Sequence, residues 1–306
     1  MVKSNDKLVE NNPGYSLLRK LISSQLDADR MDYLLRDSAM SGVKFGVVDV
    51  DRIINNMKIV NNNIAIHERA LGAIEDMLDA RYKMYRWVYS HHTNVILNEL
   101  IGMAIDVLTG NDEQISELFH WSSYDKGYST DSNILNHIAQ HITDASYQRF
   151  RGIFDRRYLP VSLLKSTPEL GRLVQRVAEI STIKESLEIV NKKIIGFFGN
   201  NGSSLLKNKL EEEDDLKDCL IIQSDAKMKP YEPFSEKDKV YLYRDNEKYL
   251  CELWSESGYF RKINEEWKSY HELYLYYLIP GKKKREFYNI KERLLNIIAE
   301  EIGHSS

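Results

Sequence analysis

The stretch from residue 27 to residue 37, Asp-Ala-Asp-Arg-Met-Asp-Tyr-Leu-Leu-Arg-Asp, is the most informative part of this 306-residue sequence. Its apolar spacing predicts an amphipathic helix. At about 100° per residue, one side of that helix carries four polar side chains, which are Asp29, Tyr33, Arg36 and Asp37. Met31, Leu34 and Leu35 occupy the opposite side, so we expect them to pack into the core.

The polar side of this helix has two interpretations. Two carboxylates, a phenol and a guanidinium form a set that can hold a divalent cation beside a phosphate ester. The same side chains can equally form a solvated face, with Arg36 as an ion-pair partner. Spacing alone leaves both interpretations open.

The rest of the chain divides into two parts. Apolar residues recur at helical spacing from about Tyr15 to Phe198, with breaks predicted at 41–46, 61–63, 109–111, 122–132 and 167–168. Short aromatic or β-branched runs then appear at 219–222, 239–243, 249–254 and 273–278, before a last helix at 286–301. We therefore predict a mainly α protein with a helical body at residues 1–204 and a small α+β module at residues 205–306.

Composition narrows the functional classes. The chain has 42 Lys and Arg against 46 Asp and Glu, a net charge of -4. That balance argues against a dedicated nucleic-acid binder, which needs a basic face. The sequence has neither a membrane-length apolar run nor the apolar region of a signal peptide at its start. Its two cysteines, Cys219 and Cys251, fit reduced thiols. We expect a cytoplasmic protein without membrane association.

The stretch 27–37 is followed by Gly42, by Phe45-Gly46 and by the run Asp51-Arg52-Ile53-Ile54. In this order the residues resemble the later part of the HD-superfamily phosphohydrolases, in the branch that contains the deoxynucleoside triphosphate (dNTP) triphosphohydrolases. The resemblance implies an HD-domain-like helical body, a divalent metal ion as cofactor and a nucleotide such as a dNTP as ligand. In this family the metal is held by a ligand set of the form H…HD…D.

The resemblance also implies roles for individual residues. Asp29 matches the last metal ligand, Arg30 and Asp37 match catalytic positions beside phosphate and sugar, and Tyr33 lies near the substrate. A second match, on a later helix, gives Arg81 a catalytic contact with a terminal phosphate. There, Tyr89 and His91 are implied in substrate binding. Without the resemblance, the stripe Arg81, Tyr85, Tyr89 and His92 is typical of a half-buried helix face.

The family's upstream metal ligands have no counterpart in this sequence. No His-Asp dipeptide occurs, and the first histidine is His67, well after Asp29. Three alternatives remain: a split enzyme completed by a partner chain, a truncated enzyme lacking its H…HD segment, or an incomplete subunit that binds nucleotide or serves assembly. A helical interaction scaffold is a competing class. We expect a homo-oligomer or a partner chain carrying H…HD, and little or no activity from the chain alone.

Overall fold

A computed structural model describes residues 13–109, 130–141, 149–165, 167–180, 187–199, 202–227, 239–245, 250–269 and 271–304. The chain forms two compact units. The first comprises Met1–His91 with Lys227–His271, and the second comprises His92–Ala226 with Glu272–Ser306. Each unit thus combines segments that are distant in the sequence.

The first unit contains helices and a small sheet. Its helices are α1 (Pro13–Ile22), α2 (Ala28–Ser41), α3 (Val50–Asn55), α4 (Leu71–Met84), α10 (Leu253–Glu256) and α11 (Gly258–Ser269). Its strands are β1 (Met57–Val60), β2 (Asn63–His67), β5 (Tyr241–Tyr243) and β6 (Cys251–Glu252). They are ordered β1-β2-β5-β6, with β2 and β5 parallel and the other two pairs antiparallel.

The break predicted at residues 61–63 is a β-hairpin turn, so the expectation of a helical body without strands is wrong here. Asn61 and Asn62 both have positive φ, 50° and 58°. Asparagine tolerates this left-handed conformation, which a two-residue hairpin turn requires at both central positions. The turn pairs Val60 with Asn63 and brings β2 back along β1.

The second unit encloses a separate apolar core. Its helices are α5 (His92–Thr109), α6 (Asp131–His141), α7 (Thr167–Ile180), α8 (Leu187–Gly199), α9 (Gly202–Glu211) and α12 (Tyr288–His304). Its strands are β3 (Val161–Leu164), β4 (Leu220–Lys227) and β7 (His271–Leu278), ordered β3-β7-β4. Leu275 and Tyr277 of β7 are fully buried among apolar side chains from α7, α8 and α12.

The mainly α fold with small sheets is confirmed, and so is the last helix. The contacts divide the chain differently from the boundary predicted between residues 204 and 205. The reason is strand pairing, because β5 pairs with β2 and β7 pairs with β3, which precede that boundary. The breaks predicted at 110–111 and 122–129 lie outside the described residues.

Candidate functional site

Asp27 fixes the beginning of α2. Its carboxylate accepts hydrogen bonds from the backbone N–H of Arg30 at 2.7 Å and of Ser24 at 3.0 Å. The guanidinium of Arg30 forms an ion pair with the same carboxylate, with Nη1 2.7 Å from Oδ2. Asp27 is only 4% exposed, so burial strengthens these charged contacts. The carboxylate therefore caps the helix and holds the Arg30 side chain at its N-terminus.

Asp37 and Tyr89 form the central contact of the site. The Tyr89 Oη donates a hydrogen bond to Asp37 Oδ2 at 2.8 Å. The ring of Tyr33, one helical turn before Asp37, lies edge-on to the Tyr89 ring with centroids 6.3 Å apart. Burial, together with the hydrogen bond to Asp37, raises the pKa of the Tyr89 phenol above its ordinary range. The phenol therefore stays protonated and remains a donor at neutral pH.

Tyr89 reaches this position from an unusual stretch of helix. After Met84, the chain continues as one π-helical turn, Tyr85–Tyr89. Such turns shift the side-chain register and occur often at functional sites. The helix ends here, because α5 starts separately at His92. The prediction that His92 continues one stripe with Arg81 and Tyr89 is therefore wrong.

Arg81 is held by two residues that the sequence analysis missed. Its Nη1 donates to Gln25 Oε1 at 2.7 Å, and its guanidinium lies over the ring of Trp267, 5.4 Å from the centroid. Gln25 is buried just before α2, and Trp267 is fully buried in α11. Neither residue has a sequence signal that links it to Arg81, because both are far from it along the chain.

These contacts give the site two ends. Arg30 binds Asp27 and Arg81 binds Gln25, so both guanidiniums are tied to the segment that begins α2. Asp37 lies seven residues further along the helix, or about 10 Å at 1.5 Å per residue. The structure thus joins five of the predicted site residues to α2 or its beginning, and these are Arg30, Tyr33, Asp37, Arg81 and Tyr89.

Asp29 and His91 are placed less favourably. Asp29 is exposed in the first turn of α2, and His91 is exposed between the π turn and α5. Over the described ranges, no three His, Cys, Asp or Glu side chains form a group that could hold a metal ion. One exposed carboxylate provides too few ligands for a divalent cation. The described residues therefore do not fit a metal centre.

The apolar side chains of α2 and its Arg36 can be compared with what the sequence predicts. Met31 and Leu34 are buried as predicted, whereas Leu35 is exposed, because the buried side of the helix is narrower than expected. Arg36 forms an ion pair with Asp32 and a longer one, 3.7 Å, with Asp37. This agrees with the interpretation of Arg36 as an ion-pair partner.

One family model matches part of the chain. Residues 48–189 match the family model described as HD associated region. This match includes Arg81, Tyr89 and His91 but not the stretch 27–37.

No helix in the described part of the chain has the length and apolar character needed to cross a bilayer.

The chain is also similar to curated proteins in sequence and to a solved structure in fold. Protein YwfO of Bacillus subtilis is 44% identical over 88 residues, which are 28% of this chain and 20% of that protein. An HD domain-containing protein of Acanthamoeba polyphaga mimivirus, L394, is 26% identical over 220 residues, or 62% of this chain and 47% of L394. The crystal structure of a hypothetical protein from Aquifex aeolicus shares the fold, with a TM-score of 0.57 at 19% identity, covering 93% of this chain and 61% of that one.

The matches to these curated proteins cover less than half of their length. The matched part of the chain spans 20% of the length of YwfO and 47% of the length of L394. The similarities relate the chain to HD-domain proteins, most directly through the HD associated region at residues 48–189.

Proposed function

We propose that the chain forms the nucleotide-binding part of an HD-type phosphohydrolase, with a nucleoside triphosphate such as a dNTP lying along α2. One observation carries the proposal: two arginines are anchored at the N-terminus of α2, and a carboxylate with two tyrosines follows about 10 Å along the same helix. A nucleotide has the same order of groups, with phosphates at one end and a sugar and base at the other.

The arginine end suits the phosphates. Guanidinium groups bind phosphate oxygens through paired, charge-assisted hydrogen bonds. The N-terminus of a helix adds unpaired N–H groups and a partial positive charge. The negative charge of the buried Asp27 repels a bound phosphate only weakly, because the Arg30 guanidinium already neutralises that charge. In this proposal Arg30 and Arg81 orient the phosphates and stabilise charge that develops on them.

The tyrosine end suits the sugar. Asp37 is half-buried, and its oxygens have acceptor sites beyond the one that Tyr89 fills. Asp37 would accept a hydrogen bond from a sugar hydroxyl. The rings of Tyr33 and Tyr89 would pack against the sugar or the base, as aromatic rings do in nucleotide sites. His91 is the flanking residue for which we propose substrate contact.

Hydrolysis requires more than these residues. In HD-type enzymes the divalent metal supplies Lewis-acid activation of the attacked phosphate. The described residues do not hold such an ion, with Asp29 the single candidate ligand on α2. We propose that the remaining ligands come from an H…HD segment, in a partner chain or elsewhere in the protein. This chain then binds and orients the nucleotide but hydrolyses little by itself.

Calorimetric titration with dATP tests the proposal. Arg81→Ala and Asp37→Asn should each weaken binding at least about tenfold, since each removes a charged or hydrogen-bonding contact. Lys83→Ala is the matched control, because Lys83 lies on the same helix, is exposed and pairs with Asp79. The control should bind like the wild type. Unaltered binding in both site variants, or no binding by the wild type, would contradict the proposal.

A role as an assembly subunit is a second candidate. It rests on α1, where Tyr15, Leu18 and Ile22 are 60%, 54% and 69% exposed. Their spacing places them on one side of the helix, and such apolar stripes are typical of contact surfaces. We propose a second copy of the chain as the partner. Light scattering should show a dimer that Leu18→Glu converts to a monomer, and a monomeric wild type would contradict this role.

A further inference from the structure

The second unit contains a cavity that none of the proposed site residues lines. Its volume is about 530 Å³, within the usual range for small-molecule sites. It opens between the first turns of α9, the loop before β4 and the segment at Arg149. Because it shares no residue with α2 or α4, it is chemically independent of the proposed nucleotide site.

The charge of this cavity is its main feature. Arg149, Lys207 and Lys217 line it, against the single carboxylate of Asp218. None of these three cations forms an ion pair with another described residue. Lys209, two residues after Lys207 on α9, contrasts with them, because it pairs with Glu212 and Glu301. Three cations that pair with no other described residue therefore line one concave surface, although the whole chain is slightly acidic.

The other walls define the size and nature of a ligand. Ser204 is exposed in the first turn of α9, where a hydroxyl and the helix dipole both favour an anion. Leu220, Ile221 and Pro280 supply an apolar part of the lining. The lining is thus suited to a molecule with an anionic end and a less polar body, and Asp218 can accept a hydrogen bond from a hydroxyl or amino group of that body.

We propose that this cavity binds a phosphorylated small molecule with at least two phosphate charges. Such an anion matches three convergent cations better than a carboxylate or a halide, because each phosphate offers several charged acceptors. The cavity is a binding site rather than a catalytic one. The thiol in its lining, that of Cys219, is buried, and burial raises its pKa to about 12.

Calorimetry with inorganic pyrophosphate tests the site in the full chain at constant ionic strength and without divalent metal. We expect one equivalent to bind the wild type, and the double variant Lys207→Ala/Lys217→Ala to bind at least about tenfold more weakly. Lys209→Ala is the matched control on α9 and should stay within about twofold of the wild type, since its ammonium already pairs with carboxylates. All three lysines are exposed, so the variants should fold, which circular dichroism checks.

Two further measurements separate this inference from the proposed function and from other anions. Arg81→Ala should bind pyrophosphate at this cavity as the wild type does, whatever happens to dATP binding. ADP should bind the Arg81→Ala variant more tightly than pyrophosphate does, because the apolar lining contacts its nucleoside. The inference is overturned if pyrophosphate does not bind, if the double variant equals the wild type, or if Lys209→Ala loses as much affinity. Tighter binding of a thymidine oligonucleotide than of ADP would overturn it as well.

Discussion

Tyr89 donates its phenolic hydrogen to Asp37 and thereby connects the end of α4 to the middle of α2. The contact spans 52 residues of sequence and defines the tyrosine end of the proposed site. It also keeps the phenol protonated, because burial and the hydrogen bond raise the pKa of Tyr89 above its ordinary value of 10.0.

Tyr89→Phe should lower the free energy of unfolding by about 1 kcal/mol, the usual net value of one hydrogen bond. A raised phenol pKa stabilises the folded state below the unfolded pKa of about 10, and that stabilisation is lost as pH rises further. The difference between wild type and variant should therefore be constant from about pH 6 to 9 and shrink above about pH 10. Urea unfolding at several pH values measures it. Tyr15→Phe, at an exposed tyrosine, should show no such difference.

Asp27→Ala should destabilise the first unit by about 2 kcal/mol, because it removes a helix cap and leaves the Arg30 guanidinium without its buried partner. Asp27→Asn keeps the capping oxygen and should cost less. The control is Asp32→Ala, an exposed ion-pair residue on the same helix, for which we expect less than about 0.5 kcal/mol. Denaturant unfolding checks the order. Equal effects at Asp27 and Asp32 would show that the cap is unimportant.

Gly46→Ala should be strongly destabilising. An added Cβ would lie 2.3 Å from the Leu34 carbonyl oxygen and 2.8 Å from Ser38 Cβ. The Gly46 N–H also bonds the Ser38 hydroxyl, so the loop after α2 cannot move away without losing this contact. Gly72→Ala is the opposite control, because nothing lies within 4 Å and alanine favours a helix by about 0.5 to 1 kcal/mol. Thermal unfolding should show a lower midpoint than the wild type for Gly46→Ala and a higher midpoint for Gly72→Ala.

Asp245 should make the stability of the first unit depend weakly on pH in the acidic range. The Nδ1 of His67 accepts from the Arg69 N–H, so the other ring nitrogen, Nε2, is the donor, and it lies 3.2 Å from Asp245 Oδ2. This hydrogen bond and the Arg69 guanidinium hold the pKa of Asp245 below its ordinary value of 3.8. A carboxyl group whose pKa is lower in the folded state stabilises the fold at pH values above its unfolded-state pKa. This stabilisation is lost as the pH falls through the folded-state pKa.

Asp245→Asn should therefore destabilise slightly at pH 5 to 7, and the difference should vanish towards about pH 2. The effect stays small because Asp245 is exposed. Unfolding midpoints across this range test it, with Asp51→Asn, at another exposed carboxylate, as the control. A difference that grows as pH falls would contradict the assigned sign.

Local patterns explain why parts of the fold were predictable. The helix at 28–41 follows from periodicity over a few turns, and the buried Met31 and Leu34 lie where that periodicity puts them. The hairpin at Asn61 and Asn62 was missed because the same two residues can end a helix or form a tight turn. Only the pairing of β1 with β2, and of β2 with the distant β5, decides between these outcomes.

The sequence by itself determined that the stretch 27–37 is helical and presents Asp29, Tyr33 and Asp37 on one side, because helical spacing acts within a few residues. Only the tertiary structure decided that Tyr89 binds Asp37 and that Gln25 and Trp267 hold Arg81. These contacts form when α4, α11 and the start of α2 pack together. Their partners are brought together by burial of a shared core, which no local pattern encodes.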